Sequence, residues 1–412
     1  MKRVCPTLSL KERDRRWLLA RELMKEKRLD CLIAAGLQAR EQLDGYFTND
    51  AVNGIVLFPL EGEPTCLTWS GSMVIRHMVN LERGGEAWVN DIRVGPTSAD
   101  WVAVLREKGF ESSTIGIVGL ETQGPGQYEG YIPYKTWDYI VKHLPKATFI
   151  DISNQLFKIM MVNSKEEISL IRHCAQIGEM ACEAMLKVVK PGVSESEIYA
   201  SIMKVIYSNG ASSLSPTLIL QSGIDNPTWM RPIWTYQAQP IRTIQSGDLV
   251  QTELFPQYGG KDTQQQMSVA LKPVHPVNQE CAKVARRCYE VGLNILRPGR
   301  RFQEVVDAME VVVAEAGCWH PSPLIHSLNP QMAASGGTQI RIEQMPGIMN
   351  YKGIKGNPSR GGDLVLKPGM VFELEPNACI GKHRVNMGGT VLVTEEGAEE
   401  LNQLPTDLRL ID

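Results

Sequence analysis

Hydrophobic and polar residues follow two different periods in the first part of the chain. Apolar residues at helical spacing predict helices over residues 11–28, 101–108 and 134–143. Short apolar runs between them predict strands at residues 29–36, 54–60, 65–70, 115–120 and 147–152. The glycine-rich residues 121–130 predict a loop. Such an alternation of helices and strands is typical of a mixed α/β domain.

The pattern changes near residues 155–164, where longer amphipathic helices begin. The sequences Ser164-x-x-Glu167 and Ser194-x-x-Glu197 match the capping box, which predicts the start of a helix. The predicted helices of this part end near residues 189, 209, 296 and 316. Strands are predicted at residues 216–221, 248–256, 266–271, 338–343, 370–376 and 389–394. Helices that cover one curved antiparallel sheet form an α+β domain, so we predict domains at residues 1–158 and 159–412.

The second domain contains a sequence repeat. Residues 188–198 are similar to residues 295–305, with an offset of 107 residues. Each copy is followed by a predicted strand that begins after a glycine and carries a glutamate, Glu253 in the first and Glu375 in the second. Two similar halves can pack about a pseudo-twofold axis, which brings equivalent strand positions to one central cleft. Glu253 and Glu375 are therefore the first candidates for a functional site.

Composition narrows the classes of partner. A net charge of -3 on 412 residues argues against binding to nucleic acid or to a membrane surface. The chain has no apolar run of transmembrane length, and its first residues lack the apolar core of a signal peptide. The nine cysteines are scattered without C-x-x-C pairs, which indicates reduced thiols. We expect a cytoplasmic protein.

The second domain resembles the pita-bread superfamily, which includes methionine and Xaa-Pro aminopeptidases, prolidase, creatinase and ectoine hydrolase. The resemblance rests on residues 247–250, 366–376 and 390–399. It implies an α+β pita-bread fold with a pseudo-twofold repeat, preceded by a smaller creatinase-type α/β domain. It also implies a homodimer in which the N-terminal domain closes over the partner's site. By that analogy the loop at residues 45–52 is a candidate substrate lid, with Tyr46 and Phe47 at its tip.

Metal-dependent members of this superfamily hold two metal ions with two aspartates, a histidine and two glutamates. Carried over position by position, three of these ligands fall on Glu253, His326 and Glu375. The other two fall on Gln264 and Gly388. A neutral amide is a poor bridging ligand for a hard cation, and glycine has no side chain to offer. The resemblance therefore does not extend to a dinuclear metal centre.

Glu253, His326 and Glu375 leave two interpretations open. They could hold a single zinc or iron ion, as in a mononuclear Xaa-Pro-type peptidase or a dimethylsulfoniopropionate-type lyase. Alternatively, the site is metal-free and the three residues act as acid, base and nucleophile. We favour the second interpretation, with no cofactor, because the metal-free creatinase and ectoine hydrolase branches have lost the same ligand positions. A non-catalytic binding protein is a third alternative.

In the metal-free interpretation the chain is a hydrolase that cleaves a C–N bond of a small polar metabolite. Two facing carboxylates disfavour each other's ionisation, which leaves one neutral acid and one ionised carboxylate. His326 can transfer a proton near neutral pH. The expected substrates are amidines, guanidines, cyclic amides and amino-acid derivatives. The predicted substrate-binding residues are Gln264, Gln266, Asp225, Trp229, Arg384, Tyr46 and Phe47.

Overall fold

The computed structural model describes residues 5–36, 43–50, 54–121 and 130–412, without the side chains of residues 215 and 216. Most of the loop predicted at residues 121–130 lies outside the described residues. The chain divides into two compact units, Thr7–Met160 and Met161–Asp412, and Cys5 and Pro6 belong to the second unit. The boundary predicted from the sequence falls after residue 158. Within the described residues, no helix is both long and apolar enough to cross a membrane.

The described part of the N-terminal unit contains one six-stranded mixed sheet with helices between its strands. Its strands are β1 Cys31–Ala35, β2 Ile55–Pro59, β3 Thr65–Thr68, β4 Asp91–Val94, β5 Thr114–Val118 and β6 Thr148–Asp151. Its helices are α1 Leu10–Lys27, α2 Leu43–Thr48, α3 Gly71–Glu82, α4 Ser98–Glu107, α5 Tyr134–His143 and α6 Ser153–Met160. The strand order is β4-β3-β2-β1-β5-β6, with β1 antiparallel to β2 and parallel to β5. The predicted α/β class of this unit is confirmed.

The predicted lid loop is wrong for the part that the structure describes. Tyr46 and Phe47 belong to α2 and are buried in the core of the N-terminal unit. The Phe47 ring lies 4.8 Å from the Phe58 ring, and the Phe47 carbonyl accepts a hydrogen bond of 3.0 Å from the Trp17 indole N–H. Leu43, Tyr46 and Phe47 have the i, i+3, i+4 spacing of a helix face, which explains why this segment folds inward. Residues 51–53 lie outside the described residues.

The C-terminal unit is a large curved sheet with two pairs of helices. The helices are α7 Lys165–Val188, α8 Glu195–Ser208, α9 Pro276–Ile295 and α10 Phe302–Glu315. The strands are β7 Ser212–Gly223, β8 Leu249–Tyr258, β9 Lys261–Asp262, β10 Gln265–Leu271, β11 Ile325–Leu328, β12 Ser335–Gly336, β13 Val371–Leu374, β14 Asn377–Ile380, β15 His383–Asn386, β16 Gly388–Val393, β17 Ala398–Glu400 and β18 Arg409–Ile411. Both predicted capping boxes are present, at the starts of α7 and α8.

The strand order of the large sheet shows the predicted repeat. Its main path is β12-β11-β13-β16-β10-β8-β7, so β7-β8-β10 on one side corresponds to β11-β13-β16 on the other. Gly247 and Gly369 precede the equivalent strands β8 and β13, with positive φ angles of 85° and 89°. That left-handed backbone favours glycine at both positions. The pseudo-twofold α+β architecture is confirmed.

One predicted strand is wrong. Residues 338–343 form a single bridge from Thr338 to Asn357, followed by a 3-10 turn at Ile342–Gln344. Gln339 and Arg341 have left-handed φ angles of 56° and 52°, which interrupt any regular strand in this segment.

Side chains of β13 alternate between the two faces of the sheet. Phe372 and Leu374 pack in the hydrophobic core with Phe302 of α10 and Cys288 of α9. Glu373 and Glu375 therefore share the opposite face. Alternation thus brings two acidic side chains to the face of the sheet away from the helix pair α9 and α10.

Candidate active site

Glu253 is fully buried on β8, directly opposite Gln266 on β10. Its Oε1 accepts a hydrogen bond of 2.6 Å from Gln264 Nε2. Its Oε2 accepts two more, from Trp229 Nε1 at 2.7 Å and from Gln266 Nε2 at 3.1 Å. All three donors are electrically neutral N–H groups, so they favour the ionised carboxylate without cancelling its charge.

Glu375 follows β13 and is linked to Glu253 through one amide. Gln266 Nε2 donates to Glu375 Oε2 at 2.7 Å as well as to Glu253. The backbone N–H of Glu375 donates to the Leu324 carbonyl at 2.9 Å, which fixes the position of the residue beside β11. The two glutamates predicted from the sequence repeat therefore meet across the junction of the two halves.

His326 on β11 completes the cluster. Its Nε2 lies 3.4 Å from Glu375 Oε1. Its Nδ1 lies 2.9 Å from the Ser327 carbonyl oxygen, which can only accept, so this hydrogen bond assigns a proton to Nδ1. The contact between His326 Nε2 and Glu375 Oε1 is then favourable when a second proton is bound to one of these two atoms. The His326–Glu375 pair is thus suited to hold one exchangeable proton close to Glu253.

Gln331 also belongs to the site, although no sequence pattern singles it out. Its Nε2 donates to Gln264 Oε1 at 2.7 Å. Because that amide oxygen is occupied, the Nε2 end of Gln264 is turned toward Glu253. Gln331 lies in an irregular segment after β11, so no periodicity marks it as a site residue.

Arg384 on β15 is fully buried, as a residue held inside the unit rather than on a loop. Its Nη1 donates to Asn377 Oδ1 at 2.6 Å, and its Nη2 donates to the Thr228 carbonyl at 2.8 Å. Burial lowers the pKa of Arg384 to about 10, and the charge of Glu253 acts in the opposite direction, so the side chain stays protonated at neutral pH. Within the described residues Arg384 forms no ion pair with a carboxylate.

Asn377 joins Arg384 to the carboxylate cluster. Its Nδ2 donates to the Glu375 carbonyl at 3.0 Å and to Ser322 Oγ at 2.8 Å, while its Oδ1 faces Arg384. Asp225, by contrast, is exposed, and in the described residues no hydrogen bond or ion pair joins it to the cluster. Its charge acts on His383 instead. The structure therefore brings Arg384 to the site and leaves Asp225 outside it.

A third carboxyl group, Glu373, lies on the same face as Glu375. It is fully buried and pairs in register with His326 on β11 and with Thr390 on β16. Burial, and then the negative charges of Glu375 and Glu253, raise the pKa of Glu373 well above its ordinary value. The alternation of apolar and acidic residues at positions 371–375 could have pointed to Glu373. It places Glu373 on the same face as Glu375 once the face that packs in the core is known.

The family model of metallopeptidase family M24 matches residues 169–395. The chain belongs to this family. It is 22% identical over 315 residues to creatinase of a Bacillus species, covering 73% of this chain and 69% of the relative. It is 24% identical over 306 residues to Xaa-Pro dipeptidase of Pyrococcus furiosus, covering 74% and 80%.

Solved structures show the same fold. The X-Pro aminopeptidase of Thermotoga maritima matches with a TM-score of 0.72 at 18% identity, over 96% of this chain and 99% of that one. The pita-bread fold predicted from the sequence is thereby confirmed. The coarse functional class, a hydrolase of family M24, is confirmed as well.

The residues of this M24 chain do not fit the metal pair that the family name implies. Within the described residues, no group of three His, Cys, Asp or Glu side chains is arranged to hold a metal ion. Both oxygens of Glu253 accept N–H hydrogen bonds. At Gly388 a Cβ atom would lie 2.3 Å from the Leu374 carbonyl oxygen, so a glutamate there requires the backbone to move. A carboxylate that accepts neutral N–H donors and a glycine at the second position do not supply the anionic ligands that two metal ions need.

His320, two residues before Ser322 in the chain, gives a prediction for the pH dependence of stability. It is fully buried, and burial lowers its pKa to about 3. Below the unfolded pKa of about 6.5 the unfolded chain binds a proton that the folded chain rejects, so stability falls as the pH falls. The expected loss is about 3 kcal/mol of unfolding free energy between pH 7 and pH 4.

We expect His320→Leu to remove most of this acid sensitivity, measured by urea denaturation at several pH values. The wild-type chain, measured over the same pH range, is the reference. An equally steep loss of stability in His320→Leu would contradict the assignment.

Proposed function

We propose that this chain is a metal-independent hydrolase that cleaves a C–N bond of a small polar metabolite. The proposal rests on the hydrogen bonds of Glu253, whose two carboxylate oxygens accept N–H groups from Gln264, Gln266 and Trp229. A metal centre needs anionic ligands at such positions, whereas a general base needs a carboxylate held in a fixed position, which these three N–H donors provide.

Glu253 is proposed to remove a proton from a water molecule, whose oxygen then adds to the substrate carbon. The His326–Glu375 pair is proposed to give its proton to the leaving nitrogen as the C–N bond breaks. The proton taken up by Glu253 then passes to the His326–Glu375 pair and replaces the proton that the pair donated. The site thus returns to its starting state after one turnover. Gln266 donates to both glutamates and so holds the base and the acid at a fixed distance from each other.

Gln264 and Arg384 are proposed to bind the substrate. The Gln264 amide is oriented by Gln331 and donates one N–H to Glu253, so its second N–H can bind a polar substrate atom. Arg384 offers a guanidinium fork, which is matched in shape to a carboxylate. The likeness to creatinase and to Xaa-Pro dipeptidase supports C–N cleavage as the reaction class and leaves the substrate to be found by screening. The homodimer stays a prediction.

The test combines elemental analysis with a substrate screen. Protein purified without chelator or added metal is expected to contain far less than one equivalent of zinc, iron or manganese. Hydrolysis of amidines, guanidines, cyclic amides and dipeptides, measured as release of ammonia or amine, should be unaffected by a chelator. One tightly bound metal ion per chain that is lost together with activity would overturn the proposal and favour a mononuclear metallopeptidase or lyase.

A further inference from the structure

The segment that follows β7 is hydrogen-bonded to four side chains at the site. Residues 225–232 of this segment, called the strap here, contain no helix or strand. The four bonds are from Gln251 Nε2 to the Asn226 carbonyl at 3.4 Å, from Arg384 Nη2 to the Thr228 carbonyl at 2.8 Å, from the Trp229 indole N–H to Glu253 Oε2 at 2.7 Å, and from Gln221 Nε2 to the Met230 carbonyl at 2.6 Å. The strap therefore occupies polar groups of the site that a ligand needs to reach.

Three of the four bonded side chains form one polar surface. Gln251 and Glu253 are two positions apart on β8, so both project from the same face of the sheet. Gln221 on β7 pairs in register with Gln251 and lies beside it. The other face of β8 carries Val250 and Leu254, which pack in the core with α7 and α8. The strap is thus bonded to the polar face of β7 and β8, beside the proposed base.

Trp229 restricts what Glu253 can accept. A carboxylate has about four sites at which it accepts hydrogen bonds. Gln264 and Gln266, which are both buried, take two of these sites, and Trp229 takes a third. The Oε2 atom thus already has two N–H donors, which leaves little room for a water molecule to give it a proton. Departure of the indole frees one site on this oxygen and leaves the two glutamine contacts in place.

The strap is held by side chains and not by backbone pairing. Within the part of the chain that the structure describes, no backbone–backbone hydrogen bond involves residues 225–231. Pro232 is the only buried residue of the strap. Hydrogen bonds fix the two ends, from Asn278 Nδ2 to the Ile224 carbonyl at 2.9 Å and from Trp234 Nε1 to Glu195 Oε2 at 3.1 Å. A segment with few buried contacts has a low free energy of local opening, so the strap can move while its ends stay in place.

We infer that the strap is a gate that closes the site, and that Trp229 is the part of it that blocks Glu253. Water and substrate reach the carboxylate when residues between Ile224 and Trp234 move away from the sheet. Because only open molecules bind substrate, the apparent affinity is lowered by the fraction of molecules that are closed. The inference rests on the proposed function, since it treats Glu253 as the base that must become accessible.

Exchange of indole protons with solvent measures the opening without any substrate. The chain has eight tryptophans, and the Trp229→Phe variant identifies the Trp229 signal in the NMR spectrum of the isotope-labelled chain. Trp319 is the reference, because it is buried in the same unit and its indole N–H donates to the Gly381 carbonyl at 2.9 Å. We expect the Trp229 indole proton to exchange at least about 100-fold faster than that of Trp319. Equal exchange rates would overturn the inference.

The kinetics of Trp229→Phe separate a gate from a residue that takes part in the reaction. The variant keeps an aromatic ring but cannot donate to Glu253, so the closed state is less stable and more molecules are open. The probe is the member of the amidine, guanidine, cyclic amide and dipeptide screen that the wild-type chain hydrolyses fastest. We expect kcat/KM to rise by about threefold or more, mainly through a lower KM. An unchanged or lower kcat/KM would contradict the gate.

Trp319→Phe is the matched control, because it removes an indole N–H bond of the same unit that does not involve the strap. Its kcat/KM should stay within about twofold of the wild-type value. The two proposals fail separately. Absence of turnover throughout the screen contradicts the proposed hydrolysis, and the exchange rates of the Trp229 and Trp319 indole protons still decide whether the strap opens. Turnover together with equal exchange rates supports hydrolysis and overturns the gate.

Discussion

Replacing Glu253 by glutamine is expected to lower kcat by about 10³-fold or more while the chain stays folded. The amide has nearly the same shape as the carboxylate, but it has no negative charge and cannot accept the proton of the attacking water. The carboxylate now accepts N–H hydrogen bonds from Gln264, Gln266 and Trp229. The NH2 group of the new amide would face at least one of these donors. The measurement is the rate of product release on the best substrate of the screen, with thermal unfolding as a check on folding.

Glu179→Gln is the matched control for that variant. Glu179 is also buried and also accepts a side-chain amide N–H, from Gln265 Nε2 at 3.2 Å, together with the backbone N–H of Gln403 at 3.2 Å. It belongs to α7, and among the described residues no hydrogen bond or ion pair joins it to the proposed acid and base. We expect its kcat to match that of the wild type. A Glu253→Gln variant with wild-type kcat would refute the role proposed for Glu253.

Lys261→Met is expected to destabilise the C-terminal unit by about 3–5 kcal/mol. Lys261 Nζ lies 2.7 Å from Glu167 Oε1 and 2.9 Å from Asn163 Oδ1, and all three side chains are buried. Glu167 is at the same time part of the capping box that begins α7, since its Oε2 accepts the Ser164 N–H at 2.8 Å. Removal of the lysine leaves a buried carboxylate without its cation.

Denaturation by urea measures this loss, and Arg172→Met provides the comparison. Arg172 and Glu399 form an ion pair of 2.6 Å on the surface, where water screens the charges, so the expected cost is below about 1 kcal/mol. The double variant Lys261→Met with Glu167→Gln should recover part of the stability, because no buried charge is then left unpaired. A cost for Lys261→Met no greater than that for Arg172→Met would contradict a structural role for the buried pair.

Lys261 also connects stability to the site. Along the chain it lies on β9, which follows the strand that carries Glu253 and precedes the strand that carries Gln266. Asp262, the next residue, is held by Asn329, whose Nδ2 donates to the Asp262 carbonyl at 2.9 Å. The buried ion pair therefore anchors the turn that sets the position of Gln264 against Glu253. Partial loss of activity in Lys261→Met at temperatures well below unfolding is the expected consequence.

Predictions for single residues were correct where they rested on a local sequence rule. Both capping boxes formed, because a serine and a glutamate three positions apart satisfy the first free N–H groups of a helix by themselves. The alternating first unit and the repeat of the second unit were also visible as periodic patterns. Tyr46 and Phe47 were placed wrongly, since their burial depends on contacts with Trp17 and Phe58, which are distant in sequence.

The sequence by itself determined the fold class, the two equivalent glutamates and the replacement of two ligand positions by Gln264 and Gly388. The first two follow from residue type, spacing and internal repetition, and the third follows from the resemblance to the pita-bread superfamily. Only the tertiary structure decided that Gln266 bridges both glutamates, that Glu373 lies beside Glu375, and that Arg384 is buried near Glu253 rather than exposed on a loop. Strand pairing and burial set these relations, and both arise from residues far apart in the chain that meet only when the sheet has formed.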